Sequence, residues 1–250
     1  ELQLRRRKSD VLADLPAKRI IDVPLEMAGP QRESYDRVQQ EGLVRLRSMG
    51  PDIRVANVLE LIMRLKQVCN FDPVTGASVK LDDIQRRLVA LVAEGHRALI
   101  FSQFVGDQFG VSAIAARLFE FQPLVFTGAL SVEERDAVAA QFGSDSGSNA
   151  LILSLRAGAF GLNLQRASYV FHMDRWWNPA IERQAEGRSH RMGQRNPVTC
   201  YRYTIENTIE ERIDQILRSK QQLFDQVVDD VSLDLETSLS RDEIFSVFGL

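Results

Sequence analysis

Gln184, Arg188 and Arg191 follow one another at steps of four and three, a spacing that puts all three on one face of an α-helix. Two guanidinium groups held beside an amide are costly to keep together unless an anion or nucleotide faces them. The planar guanidinium fork suits a phosphoryl group whose charge spreads onto its equatorial oxygens. A salt-bridged surface helix has the same spacing, because Glu182 and Glu186 lie close by. A second concentration of chemistry follows the apolar run Leu151-Ile152-Leu153. There Ser154, Arg156, Gly158, Gly161 and Asn163 combine a basic side chain with two glycines that let backbone approach a phosphate closely. An ordinary strand-to-helix turn accounts for the same residues. Ser102-Gln103 after Ala98–Phe101, and Thr127-Gly128 after residues 123–126, complete a set of polar groups just beyond apolar strands, the edge at which open α/β sheets bind ligands.

These residues need a scaffold, and the hydrophobic pattern supplies one. From Gln31 to about Asn70, Tyr35, Val38, Val55, Val58, Leu59, Ile62, Leu65 and Val68 recur at helical steps, broken at Met49-Gly50-Pro51. Residues 71–79 read as a loop. Leu81–Glu94 is an amphipathic helix closed by Gly95, and Ala98–Phe101 a strand apolar on both faces. Helices at 108–120, 131–142, 179–190 and 208–228 then alternate with strands at 123–126, 150–154, 168–172 and 197–203. Ser131 with Glu134, and Asn207 or Thr208 ahead of Glu210-Glu211, have the spacing of helix caps. The pattern predicts an α/β fold with a mainly parallel sheet and helices on both faces. The expected organisation is a linker and helical subdomain over 1–78, a sheet domain over 79–228, and an acidic tail over 229–250 exposed to solvent or a partner.

Bulk properties narrow the class. With 250 residues and 44% apolar content the chain can bury a substantial core. No apolar run reaches the ~18 residues that cross a bilayer, and the start lacks a secretion signal, so no membrane partner is expected and the location is read as cytoplasmic, or nuclear in a eukaryote. Cys69 and Cys200 stand far apart, which points to two reduced thiols rather than a zinc or disulfide framework. The net charge of −3 argues against a uniformly DNA-coating protein. Basic charge is nonetheless concentrated locally, with six basic against three acidic residues over 1–19 and five against two over 175–195.

The run Leu151–Leu164 resembles motif V of the Swi/Snf-type ATPases in helicase superfamily two. Asp174-Arg175-Trp176-Trp177-Asn178-Pro179 and Gln184–Gln194 resemble the block that leads into and forms motif VI. Leu4–Val11 with Leu15-Pro16 resembles the linker into this lobe, Arg64–Asn70 its helical subdomain, Ile100–Phe104 motif IV, Phe126–Gly128 with Arg135 and Phe142 the next strand and helix, and Thr208–Ile213 a bracing helix. Together these cover residues 2–217. Two positions depart from the pattern: Gly187 stands where an acidic residue is usual, and Phe71-Asp72-Pro73 replaces a histidine-proline. The first puts the orientation of Arg188 in question. The chain opens without Met inside a motif, so it is read as a piece of a longer protein.

The resemblance implies a RecA-like C-terminal lobe, with ATP and Mg²⁺ held mainly by a first RecA-like lobe of the same protein. Double-stranded DNA would cross both lobes, and a DNA-bound protein would be the target. Arg188 and Arg191 would be arginine fingers, with Gly158, Gly161 and Gln184 at the nucleotide edge. Ser102, Gln103, Thr127, Ser154, Arg156, Asn163 and Arg175 would contact the DNA backbone, which sets register without reading sequence. Trp176 and Trp177 are expected to pack in the core rather than stack on bases, and His172 and His190 to be structural. No lysine follows a glycine, so a G-K-[ST] phosphate loop is absent and the chain alone is expected to be inactive. A catalytically degenerate scaffold lobe and an RNA helicase lobe are the alternatives. The Trp-Trp-Asn-Pro block and the Met-Gly-Gln ending of motif VI weigh against the latter.

Overall fold

The computed structural model describes residues 15–144, 146–155, 164–176, 179–227 and 240–249. Six strands form one sheet in the order β1-β6-β5-β2-β4-β3. They are β1 (Lys18–Leu25), β2 (Ala98–Ser102), β3 (Leu124–Phe126), β4 (Ala150–Ser154), β5 (Tyr169–His172) and β6 (Val198–Ile205). Every pairing is parallel. The helices are α1 (Gly29–Ser48), α2 (Val55–Asn70), α3 (Val79–Ala93), α4 (Val111–Arg117), α5 (Val132–Gly143), α6 (Pro179–Ser189), α7 (Ile209–Val227) and α8 (Arg241–Ser246).

The central strands are buried on both faces, which is why they read as continuous apolar runs. Alternate residues feed different cores. Ala98, Ile100, Ile152 and Phe171 pack with Leu81, Ile84 and Leu88 of α3 and Ile114 of α4. Leu99, Phe101, Leu151, Leu153 and Val170 pack with Phe142 of α5, Ala185 of α6 and Trp176. A third core lies beyond β6, where α1, α2, α7 and α8 meet through Tyr35, Ile62, Leu65, Ile213 and Phe248.

Two segments differ from the pattern-based expectation. Residues 18–25 lie within the stretch expected to be linker and helices, yet they form an eight-residue strand paired along its length with β6. Ile20 and Ile21 are exposed and Pro24 interrupts the donors, features that hide a strand in sequence and are tolerated because β1 is an edge. The acidic tail also carries structure. Ser240 caps α8 through a reciprocal pair with Glu243, and Ile244, Val247 and Phe248 are buried against α2 and α7.

Candidate functional site

At the carboxyl end of β2, Ser102 and Gln103 meet Asp174. Its carboxylate accepts from Ser102 Oγ at 2.6 Å, from the Gln103 backbone N–H at 2.8 Å and from Asn70 Nδ2 at 2.8 Å. Lys80 Nζ donates to Asn70 Oδ1 at 3.1 Å and pairs with Glu210 at 2.6 Å, with side chains 0% and 1% exposed. Lys66 Nζ donates to the Arg175 carbonyl at 2.6 Å. Burial pushes the Lys66 ammonium below its ordinary value, against the opposing pull of Asp174 and Glu210. A chain of buried charges therefore ties α2, α3 and α7 to the end of the sheet.

Arg175 begins a second network on the other side of the same loop. Its Nε lies 3.0 Å from Glu182 and its Nη1 2.8 Å from Asp214, and the Trp176 N–H donates to Glu182 at 2.8 Å. One turn later in α6, Glu186 meets Lys18 at 2.7 Å, Arg202 at 2.8 Å and His172 at 3.4 Å. Burial raises the Glu186 carboxyl, but His172, Arg202 and Lys18 overcome it and hold the group well below the usual carboxylate range. Glu182 is likewise depressed, its burial outweighed by Arg175 and His172. The acidic residues of α6 thus point inward to partners on β1, β5, β6 and the loop that follows β5.

Of the expected DNA contacts, Ser102 and Arg175 spend their side chains inside the protein, and Ser154 and Thr127 are 4% and 8% exposed. Thr127 opens the turn into α5, its Oγ1 accepting from Ala129 at 3.4 Å. Gln103 is different: both polar atoms of its amide are buried and neither has a hydrogen-bond partner. Arg156, Gly158, Gly161, Asn163, Trp177 and the linker Leu4–Val11 lie outside the described residues.

Of the residues expected at the nucleotide, Arg188 and Arg191 come out at the opposite end of the sheet. α6 leaves the carboxyl end of β5 and runs back, so that Leu164 donates to the Arg188 carbonyl at 3.3 Å and the His190 ring to Pro16 O at 2.7 Å, ahead of β5 and β1 respectively. Gln184 is exposed and Arg188 half-buried on α6. Arg191 does not continue their helical face, because α6 stops at Ser189. It begins a tight turn instead, closed by Gln194 N–H to Arg191 O at 3.0 Å, with Gly193 at φ 95°. The Arg191 side chain is exposed and makes no hydrogen bond or ion pair among the described residues. Beside this turn an open depression of about 790 Å³ is lined, among the described residues, by Arg97, Arg166, Arg195 and neighbours that include no carboxylate.

Lys80 and Asp214 were not singled out from sequence, and Glu210 and Gln194 were named there for a helix start and a motif ending, without the contacts they make. The signals available were Lys66 and Lys80 placed among apolar residues on otherwise amphipathic helices, positions where a lysine must find a buried partner.

A single parallel sheet covered on both faces is a RecA-like architecture. The helicase conserved C-terminal domain matches residues 79–193. The Sulfolobus solfataricus SWI2/SNF2 ATPase C-terminal domain superposes with a TM-score of 0.68 at 26% identity, over 92% of this chain and 97% of that one. The chain belongs to the C-terminal lobes of the Swi/Snf-type ATPases of helicase superfamily two. The Sulfolobus solfataricus SWI2/SNF2 ATPase core in complex with double-stranded DNA aligns at 28% identity and a TM-score of 0.72, over 99% of this chain and 54% of that one. The uncharacterized ATP-dependent helicase MG018 of Mycoplasma genitalium is 32% identical over 255 residues, 98% of this chain. The chain spans about a quarter of the length of the curated relatives it matches. No helix among the described residues is long and apolar enough to cross a membrane.

Proposed function

We propose that this chain is the second motor lobe of an ATP-driven double-stranded DNA translocase or remodeller, and that Arg188 and Arg191 are its arginine fingers. The observation that carries the reading is Arg191: an exposed guanidinium without an internal partner, held on a hydrogen-bonded turn. The acidic residues of α6 do not compete for it, since Glu182 and Glu186 are buried elsewhere. The donor set at this end fits an anion such as a triphosphate. The described lining of the adjoining depression holds three arginines and no carboxylate; Mg²⁺ and most of the ATP contacts would fall to a first lobe carrying the phosphate loop that this sequence lacks. ATP, with its metal, supplies the phosphoryl group. Arg191 and Arg188 would orient it and meet the charge that develops on its oxygens when the lobes close.

The DNA side of the proposal belongs to the carboxyl end. Gln103 carries a buried amide without an internal partner among the described residues, Thr127 and Ser154 lie at the same edge of the sheet, and Arg156 and Asn163 follow β4 in the sequence. Contacts of this kind hold a backbone in register on any sequence, as a translocase requires. The structural relative solved with double-stranded DNA supports this part of the reading. Arg175 would act through its hold on α6 and α7 rather than by touching DNA. The protein target moved on DNA is a further part of the proposal, drawn from the family.

The test is Arg191→Ala in the full-length protein. DNA-stimulated turnover should fall about 10³- to 10⁵-fold while the unfolding midpoint stays where it was, and near-normal turnover would refute the assignment. The purified 250-residue chain should show no DNA-stimulated ATP hydrolysis; robust turnover by it would overturn the two-lobe reading.

A further inference from the structure

Gln194 is 7% exposed, and its side-chain amide is used to an extent that a surface turn does not require. Its Nε2 lies 2.9 Å from Gln165 O, 3.0 Å from Ala167 O and 3.2 Å from Ser189 O. Its Oε1 accepts from the backbone N–H groups of Arg195 at 2.9 Å and Asn196 at 3.0 Å. One side chain thus joins three segments: the end of α6, the approach to β5 and the approach to β6. Gln165 answers from the opposite side by donating to Met192 O. Between these two glutamines lies the turn Arg191-Met192-Gly193-Gln194. Its backbone is held by its own closing bond, by Gln165 at its second residue and by Gln194 at its fourth, while the Arg191 side chain is left to project.

From this geometry we infer that Gln194 is a positioning residue for Arg191, and that the Gln194–Gln165 lacing aims the guanidinium at its phosphate. The inference rests on Arg191 being a finger. The long side chain of an arginine loses rotamer freedom when it engages, so the part of its placement that can be set beforehand is the backbone that carries it. α6 cannot do this alone, because it ends two residues earlier. Gly193 fits the same design. Its φ of 95° is a conformation other residues rarely adopt, and a Cβ there would stand 2.9 Å from Gln165 Oε1. The amide of Gln194 is also the wrong group to replace by a carboxylate: three carbonyl oxygens would then face an acceptor with no proton to give.

The experiment compares Gln194→Ala, Gln194→Glu, Arg191→Ala and the double variant Gln194→Ala/Arg191→Ala in the full-length protein, reading kcat and KM for ATP with DNA saturating, and the unfolding midpoint. Misplacing a catalytic group by about 1 Å costs on the order of 10²-fold in rate. Gln194→Ala should therefore lower kcat by about that factor with KM little changed, and Gln194→Glu by at least as much. Gln194→Ala should cost nothing further once Arg191 is gone. Gly193→Ala strains the same turn without touching Gln194 and should lower kcat in the same direction, which keeps the inference testable if the Gln194 variants fold poorly. A Gln194→Ala protein with kcat within about threefold of the parent, or an equal loss in the Arg191→Ala background, overturns the positioning role. An active Arg191→Ala protein overturns the finger assignment itself, and the positioning role falls with it. A dead Arg191→Ala beside a live Gln194→Ala removes only the latter.

Discussion

The two ends of the sheet treat charge in opposite ways. At the carboxyl end Lys66, Lys80, Asp174, Arg175, Glu182 and Glu210 are buried, and each is bound to another part of the chain. At the amino end Arg191 and Arg195 are exposed, and the described residues that line the adjoining depression include no carboxylate. The first arrangement is structural, because buried charges survive only when paired and hydrogen-bonded. The second retains the capacity to bind. The difference shows that a charged residue in a motif is not necessarily a contact: Arg175 and Arg191 stand 16 positions apart, and of the two only Arg191 faces outward without a partner among the described residues.

Stability measurements can break this comparison, and the largest effect is expected at Lys80. Lys80→Ala leaves Glu210 buried and unpaired and should cost about 3–5 kcal/mol in denaturant unfolding; a loss below 1 kcal/mol would show that the buried chain of charges is not what ties the helices to the sheet. Acid should act next, through Glu182 and Glu186. Their folded-state values lie below the ordinary 4.5. The stability they contribute is thus present above that value and lost as pH falls through it toward the folded-state values. The urea midpoint should be level from pH 7 to about 5 and decline below, with a shallower decline in Glu186→Gln; a midpoint indifferent to acid would mean these carboxylates are not held by their partners. The smallest effect belongs to the amino end, where Arg191→Ala and Arg195→Gln should each change the unfolding free energy by no more than about 0.5 kcal/mol. A larger loss at either would place these arginines in the fold rather than at its working face.

Much of the architecture could be read from residue order. The doubly apolar runs at Ala98–Phe101 and Leu151–Leu153 announced buried parallel strands, and Ser131 with Glu134 forms the capping box their spacing suggested. What could not be read has a common physical cause. β1 carries exposed isoleucines and a proline, so its pairing with β6, about 180 residues away, leaves no local period. α8 lies in a stretch whose acidic composition suggests solvation, and only the docking of Ile244, Val247 and Phe248 reveals its buried face. Gln184, Arg188 and Arg191 have helical spacing, but a spacing rule cannot tell that the helix stops at Ser189.

By itself the sequence determined the alternation of strands and helices, the lobe to which the motifs belong and the residue types available at each strand end, because hydrophobic period, capping and motif spacing are local. Only the tertiary structure decided which charges are consumed within the protein and which remain to act. That choice depends on partners brought from 39 to 168 residues away, such as Asp214 for Arg175 and Lys18 for Glu186, and on a helix that carries its arginines back to the far end of the sheet.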